Sequence, residues 1–384
     1  MHFPSRRWLL IVLLICCGLA QAQTPPPLPK QPPEKLLRAL SRGVNLSIWF
    51  TYRGTPGIDP ALWYPAGSDW QQLKALGLSH VRVQFDPAYF RDPAIPTKLR
   101  AERMAELKRD LAPAWANGLV VVLALDPMVA DKARLVKDEA GITELLAFWQ
   151  AFAKSMKGIA PRRLVFELLN EPNTPDAASN RALMQRLVDA VRAVAPRHTL
   201  VVEGHGYSGI AELTAFEPLP NDNLVYSFHF YDPGVFTHQG ATWSWEMFPK
   251  LQGMPYPSSP EAVLPMAAAA VEEARPVITQ YGAERWDRAR IESLIERARV
   301  WQQAKGVAIW CGEFGTSRLG APEADRHVWL ADVRQSLEAR GIPWAMFDYV
   351  GHFALFSGST GARQVDPKSA EALGLLPPSR PAVQ

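Results

Sequence analysis

The chain has 384 residues, 48% of them hydrophobic and 21% charged, ordinary globular values that supply a large core and leave room for one barrel-sized domain. Its formal net charge of +3 is too small to make nucleic acid or an anionic membrane the main partner, so a neutral partner is the default.

Residues 1–22 carry Arg6 and Arg7, the apolar run Trp8 to Leu19, and then Ala20-Gln21-Ala22. This order is that of a secretory signal peptide. Cys16 and Cys17 lie inside it without the small-residue context of a lipid-attachment site. Cleavage takes the net charge from +3 to +1 and leaves Cys311 as the single cysteine. The expected product is secreted or periplasmic, has no internal disulfide, and is held together by its core. Cys311 is read as a buried small hydrophobe. Residues 23–35 are proline-dense and read as an extended linker. Residues 36–384 are then a single catalytic domain.

The domain alternates apolar strands with helices. Gly43-Val44-Asn45-Leu46-Ser47-Ile48-Trp49-Phe50 is the first strand, followed by a helix that Ser68 or Asp69 caps and Gly77 ends. Strands at 80–85 and 119–125 flank a helix over 103–116. An amphipathic stretch, 143–156, leads to Leu164-Val165-Phe166-Glu167-Leu168-Leu169-Asn170-Glu171-Pro172. Here a strand buried on both faces is stopped by proline just after an amide and a carboxylate. Further strands follow at 199–203, 224–231, 307 onward and 344–349, with helices over 181–194, 287–305 and 324–339. About eight such units make a (β/α)₈ TIM barrel of the α/β class. The stretch 232–256 is long for a connection, and its Phe236, Trp243, Trp245, Phe248 and Tyr256 are expected to line a site, or else to form a satellite cluster under the loop.

The strand ending in Cys311-Gly312-Glu313-Phe314-Gly315 repeats the design of the fourth, with glycines that admit close backbone approach on either side of the acid. Breaking a glycosidic bond needs such a pair: one carboxylic acid protonates the leaving oxygen and a second carboxylate attacks or stabilises the anomeric carbon. On a barrel, Asn45, Arg82, Asp126, Asn170, Glu171, His205, His229, Tyr231, Glu313 and Phe347 converge at the strand ends. The histidines are scattered, with no H-x-H or other ligand cluster, so neither a metal nor another cofactor is expected.

In these motifs the chain resembles glycoside hydrolase family 5, the cellulase-like barrels. Asn170-Glu171-Pro172 matches the family's N-E-P, which implies Glu171 as acid/base and Asn170 as a donor to the sugar 2-hydroxyl. Gly312-Glu313-Phe314-Gly315 matches the nucleophile motif. His229-Phe230-Tyr231 matches H-x-Y, implying that Tyr231 orients the nucleophile, and Arg82 matches the arginine that keeps it ionised. Gly43-Val44-Asn45-Leu46 resembles the opening strand. Two positions depart from the pattern: Asp126 stands where the family usually has histidine, and Phe347 aligns with its sugar-stacking tryptophan, with Trp344 as the alternative in another register. The resemblance implies a retaining endo-acting β-glycosidase on a neutral polysaccharide or oligosaccharide, a β-1,4-glucan first, with mannan or xyloglucan as alternatives. A carbohydrate-binding barrel without turnover and a metal-dependent barrel hydrolase are the other classes. Glu171 is expected in the more enclosed position, keeping its proton near neutral pH, with Glu313 ionised beside Arg82 and Tyr231. No membrane insertion is expected after signal cleavage, and a monomer is the default.

Overall fold

The computed structural model describes residues 31–55, 59, 62–95 and 97–375. The expected signal segment, residues 23–30 of the expected linker, and Cys16 and Cys17 lie outside them. Eight parallel strands, β1 (Arg42–Phe50), β2 (His80–Phe85), β3 (Val120–Leu125), β4 (Leu164–Glu167), β5 (Leu200–Glu203), β6 (Leu224–Phe230), β7 (Ala308–Phe314) and β8 (Trp344–Met346), close in sequence order. The barrel seals where Arg42, Gly43 and Val44 pair with Trp344, Ala345 and Met346.

The two-residue period of a strand sorts each strand into two faces. On β2, Val81, Val83 and Phe85 face the surrounding helices and join the large outer core, while His80, Arg82 and Gln84 alternate with them. The interior is layered. Its floor is a small apolar cluster of Val120, Val122, Val165, Val201, Val225, Ala308, Trp310 and Ala345. A short helix, Glu34–Ala39, closes it from below with Leu36, and Leu40 follows just beyond the helix. The helix begins at Glu34, inside the span 23–35 expected to be linker. One layer above, the same strands switch to polar groups, Glu167, Glu203 and Ser227, all buried.

The glycines of the seventh strand stand where space is shortest. A Cβ on Gly312 would lie 2.6 Å from Ser227 Oγ, and one on Gly315 would lie 2.1 Å from the Phe347 carbonyl oxygen. The β6–β7 register shifts at this point, so that His229 pairs with Glu313. Cys311 is fully buried, as its reading as a small hydrophobe requires.

Outer helices run over Ala101–Ala116, Glu139–Met156, Ala177–Arg192, Arg288–Lys305 and Glu323–Ala339. Ser68 makes no cap bond, and Asp69 instead accepts from the Gly361 and Arg363 amides. The long connection after β6 holds two further helices, Pro260–Ala269 and Arg275–Glu284. Both carry prolines and little amphipathic contrast, so periodicity does not reveal them. Among the described residues no helix is long and apolar enough to cross a membrane.

Candidate active site

Arg82 organises the upper interior of the barrel. It is wholly buried, and its five N–H donors all meet protein acceptors. Nε and Nη2 form a fork on Glu167 at 2.8 and 2.6 Å. Nη1 donates to Asn45 Oδ1 at 2.8 Å and to Glu313 Oε1 at 2.5 Å, and Nη2 also reaches Asn170 Oδ1 at 2.7 Å. Burial pushes the Glu167 carboxyl up, but Arg82 outweighs it and holds it down at about 2. Asn45 is fully buried and its amide is spent on protein, donating to the Gly312 and Met346 carbonyls at 3.0 and 3.2 Å. Asn45 and Arg82 therefore hold the site together from beneath.

Glu313 emerges from this base. Its Oε1 accepts from Arg82 and from Gln84 Nε2 at 3.1 Å, and its Oε2 from the Tyr231 hydroxyl at 2.8 Å. These three donors leave its side chain 6% exposed. Burial and the Glu313 charge keep the Tyr231 phenol protonated, well above its usual range.

Glu171 stands opposite in a left-handed backbone conformation, φ 41°, which few non-glycine residues adopt. That turn swings its carboxyl out toward solvent, 27% exposed against 6% for Glu313. The expected enclosure of Glu171 is thereby corrected. So is its expected proton. Burial pushes the Glu171 carboxyl up, but a 3.0 Å hydrogen bond with His229 Nδ1 and the charges of His229, Lys132 and Arg82 outweigh it and hold it below the usual carboxylate range. Burial alone lowers His229, yet Glu313, Glu203 and Glu171 together push it up to about 9. Both shifts favour the imidazole over the Glu171 carboxyl as holder of the pair's proton.

Asp126 and Phe347 both reach the mouth. Asp126 Oδ1 accepts from Lys132 Nζ at 2.9 Å and from Asn170 Nδ2 at 3.1 Å, and Lys132 also donates to the Asn170 carbonyl at 2.8 Å. A carboxylate–ammonium pair thus occupies the departed position. Phe347 packs edge to face on Tyr231 at 6.3 Å and on Phe353 at 5.5 Å. His205 stands apart from these contacts, and among the described residues its buried Nδ1 meets no hydrogen-bond partner. Of the five aromatics in 232–256, Phe236, Phe248 and Tyr256 are buried core, whereas Trp243 and Trp245 are 37% and 41% exposed. Trp243 stacks on His352 at 5.2 Å.

Gln84, Lys132, Glu167 and Glu203 were not among the expected site residues. Gln84 follows Arg82 at the strand period, and Glu167 and Glu203 are lone acids in apolar strands, so each left a sequence signal. Lys132 left none. Among the described residues, ligand atoms of Glu171, His229 and Glu313 lie within 4.8 Å of one another, as do those of Glu167, Glu203 and His229. The Arg82 guanidinium lies against both groups and supplies their cation.

The cellulase (glycosyl hydrolase family 5) family model matches residues 43–352. Endoglucanase C of Acetivibrio thermocellus is 25% identical over 316 residues, covering 80% of this chain and 90% of that protein. Endoglucanase 3 of Fibrobacter succinogenes is 27% identical over 229 residues, 57% of this chain, and the chain spans only 34% of that protein's length. In fold, the chain is similar to Thermotoga maritima Cel5A in complex with cellobiose, with a TM-score of 0.71 at 21% identity over 88% of this chain and 99% of that one. It is also similar to the cellulose synthase subunit Z of Clostridioides difficile, with a TM-score of 0.69 at 21% identity over 87% and 99%.

Proposed function

The chain belongs to the cellulase family, glycosyl hydrolase family 5, and from that premise we propose that it is a secreted, retaining endo-β-glucanase, acting on β-1,4-linked glucan with Glu313 as nucleophile and Glu171 as acid/base. The observation that carries this reading is the closeness of the two acids, whose oxygens approach within 4.8 Å. Retaining glycosidases hold their carboxyls about 5–5.5 Å apart, whereas inverting ones need roughly 6.5–9.5 Å to admit a water between.

The surroundings of each acid suit its role. Arg82, Gln84 and Tyr231 aim donors at Glu313, which favours a carboxylate free to attack the anomeric carbon. The bond to the departing sugar oxygen breaks as Glu313 bonds to carbon, and Glu171 passes a proton to that oxygen. His229 supplies the proton's resting place. Its Nδ1 lies 3.0 Å from Glu171 and 3.7 Å from Glu313. As the Glu313 charge is consumed in the ester, the imidazolium loses an anionic neighbour, and its proton is driven toward Glu171. In the second half Glu171 takes a proton from water as that water opens the ester. Phe347, Trp243 and Trp245 offer faces for sugar rings. Export rests on the order Arg6-Arg7, apolar run, Ala20-Gln21-Ala22.

The test is to trap the intermediate. An activated 2-deoxy-2-fluoro-β-cellobioside is expected to add one glycosyl group, with mass spectrometry locating it on Glu313. A label on any other residue, or hydrolysis of the glycan panel with no label formed, would refute the assignment.

A further inference from the structure

Glu203 ends β5 with its side chain sealed from solvent. A buried acid is costly, and the Arg82 fork is already matched by Glu167, so the charge balance does not explain it. Its hydrogen bonds do. Oε2 accepts from the backbone N–H of Glu171 at 2.8 Å and from the Ser208 hydroxyl. Among the described residues no donor reaches Oε1; it faces His229 Nε2, likewise without a partner there, at 3.6 Å, and Arg82 Nη2 at 3.7 Å. Burial together with the neighbouring Glu167 carboxyl pushes the Glu203 acid well above the usual carboxylate range. The Glu167 carboxyl lies within 4.8 Å on another side. One side chain thus touches both the peptide of Glu171 and the far edge of the ring whose near edge holds the Glu171 carboxyl. The peptide it grips is the left-handed one, where the backbone has no ladder to rest on.

We propose that Glu203 is the positioning residue of Glu171, clamping its peptide directly and steadying its carboxyl through His229. The proposal rests on reading Glu171 as the acid/base. It confines the influence of Glu203 to steps in which a proton moves. The hydrogen bonds to Glu313 come from Arg82, Gln84 and Tyr231, and Glu203 meets that set only through Arg82, at 3.7 Å and without a hydrogen bond.

The experiment measures kcat/KM, which reports the steps up to ester formation, on two substrates. Cellotetraose has a leaving sugar hydroxyl that needs a proton, and 2,4-dinitrophenyl β-cellobioside has a leaving group that does not. Glu203→Ala is expected to lose about 10²-fold on cellotetraose, within the range of a misplaced general acid, and less than about threefold on the aryl glycoside. Glu203→Gln, which keeps an oxygen for the Glu171 amide, is expected to recover cellotetraose activity to within about fivefold. Glu203→Asp, whose carboxyl falls short of that amide, covers the case in which the alanine variant does not fold, and is expected to show the same selective loss. Equal losses on both substrates, or no loss on either, overturn the proposal. Glu171→Ala is measured alongside. If it too loses equally on both substrates, the acid/base reading itself has failed; if it discriminates while the Glu203 variants do not, only the clamp has.

Discussion

His229 sits against Glu171, Glu203 and Glu313 with its side chain 1% exposed, and these acids push it from its ordinary 6.5 up to about 9. Replacing it by His229→Gln removes the titrating group. A pKa raised on folding contributes stability that is fully present below the unfolded value and is lost as pH rises through the folded one. At about 1.4 kcal/mol per pH unit, the rise from 6.5 to about 9 is worth on the order of 3 kcal/mol. Urea denaturation of the two proteins at a series of pH values reads this term together with the changes that loss of the imidazolium makes in Glu171 and Glu203 beside it, while titrations elsewhere in the chain cancel in the difference. The advantage of wild type over variant is expected to be greatest below pH 6.5 and to shrink by about 3 kcal/mol by pH 10. A difference that is flat across this window, or grows with pH, would refute the charged imidazole and the proton path built on it.

Arg82→Met strands the buried Glu167 and Glu313, and is expected to cost about 3–5 kcal/mol by thermal or chemical denaturation; a loss below 1 kcal/mol would mean the cluster re-pairs without it. Asp126→His and Phe347→Trp are expected to re-rank the glucan, mannan, xyloglucan and xylan panel by roughly tenfold, the scale of one stacking face or one charged hydrogen bond; unchanged ratios would put both residues outside the subsites. N-terminal sequencing of the exported protein is expected to start at or near Gln23, and an intact Met1 or a lipidated Cys16 or Cys17 would contradict the signal reading.

The barrel was legible because strands such as 120–125 are apolar runs buried on both faces, and the run in 163–172 carries that pattern up to the residue where the chain turns. The two acids were legible for the same reason, since a carboxylate after an apolar strand has one place to go. What surrounds them was not. The partners of Arg82 come from β1, β4 and β7 as well as the loop after β4, and no local pattern reveals that Glu167, and not Glu313, takes its fork. The orientation of Glu171 depends on one left-handed dihedral, which a sequence of Leu168-Leu169-Asn170-Glu171 does not declare, so its exposure and its proton were both misplaced. The aromatics of 232–256 misled in part because an aromatic loop and an aromatic core share a composition. Phe236, Phe248 and Tyr256 are buried core, and the helices that follow, 260–269 and 275–284, carry prolines that hide them from a periodicity reading.

An oxygen of Glu171 and one of Glu313 lie within 4.8 Å of each other, and the proposed double displacement predicts one stereochemical course from that closeness. Proton NMR of the first sugar released from a β-1,4-glucan oligosaccharide reads that course before mutarotation blurs it. The account predicts that the β-anomer appears first and the α-anomer only later, at the rate of spontaneous equilibration. An α-anomer as the initial product would contradict the double displacement, and with it the assignment of Glu313 as the nucleophile.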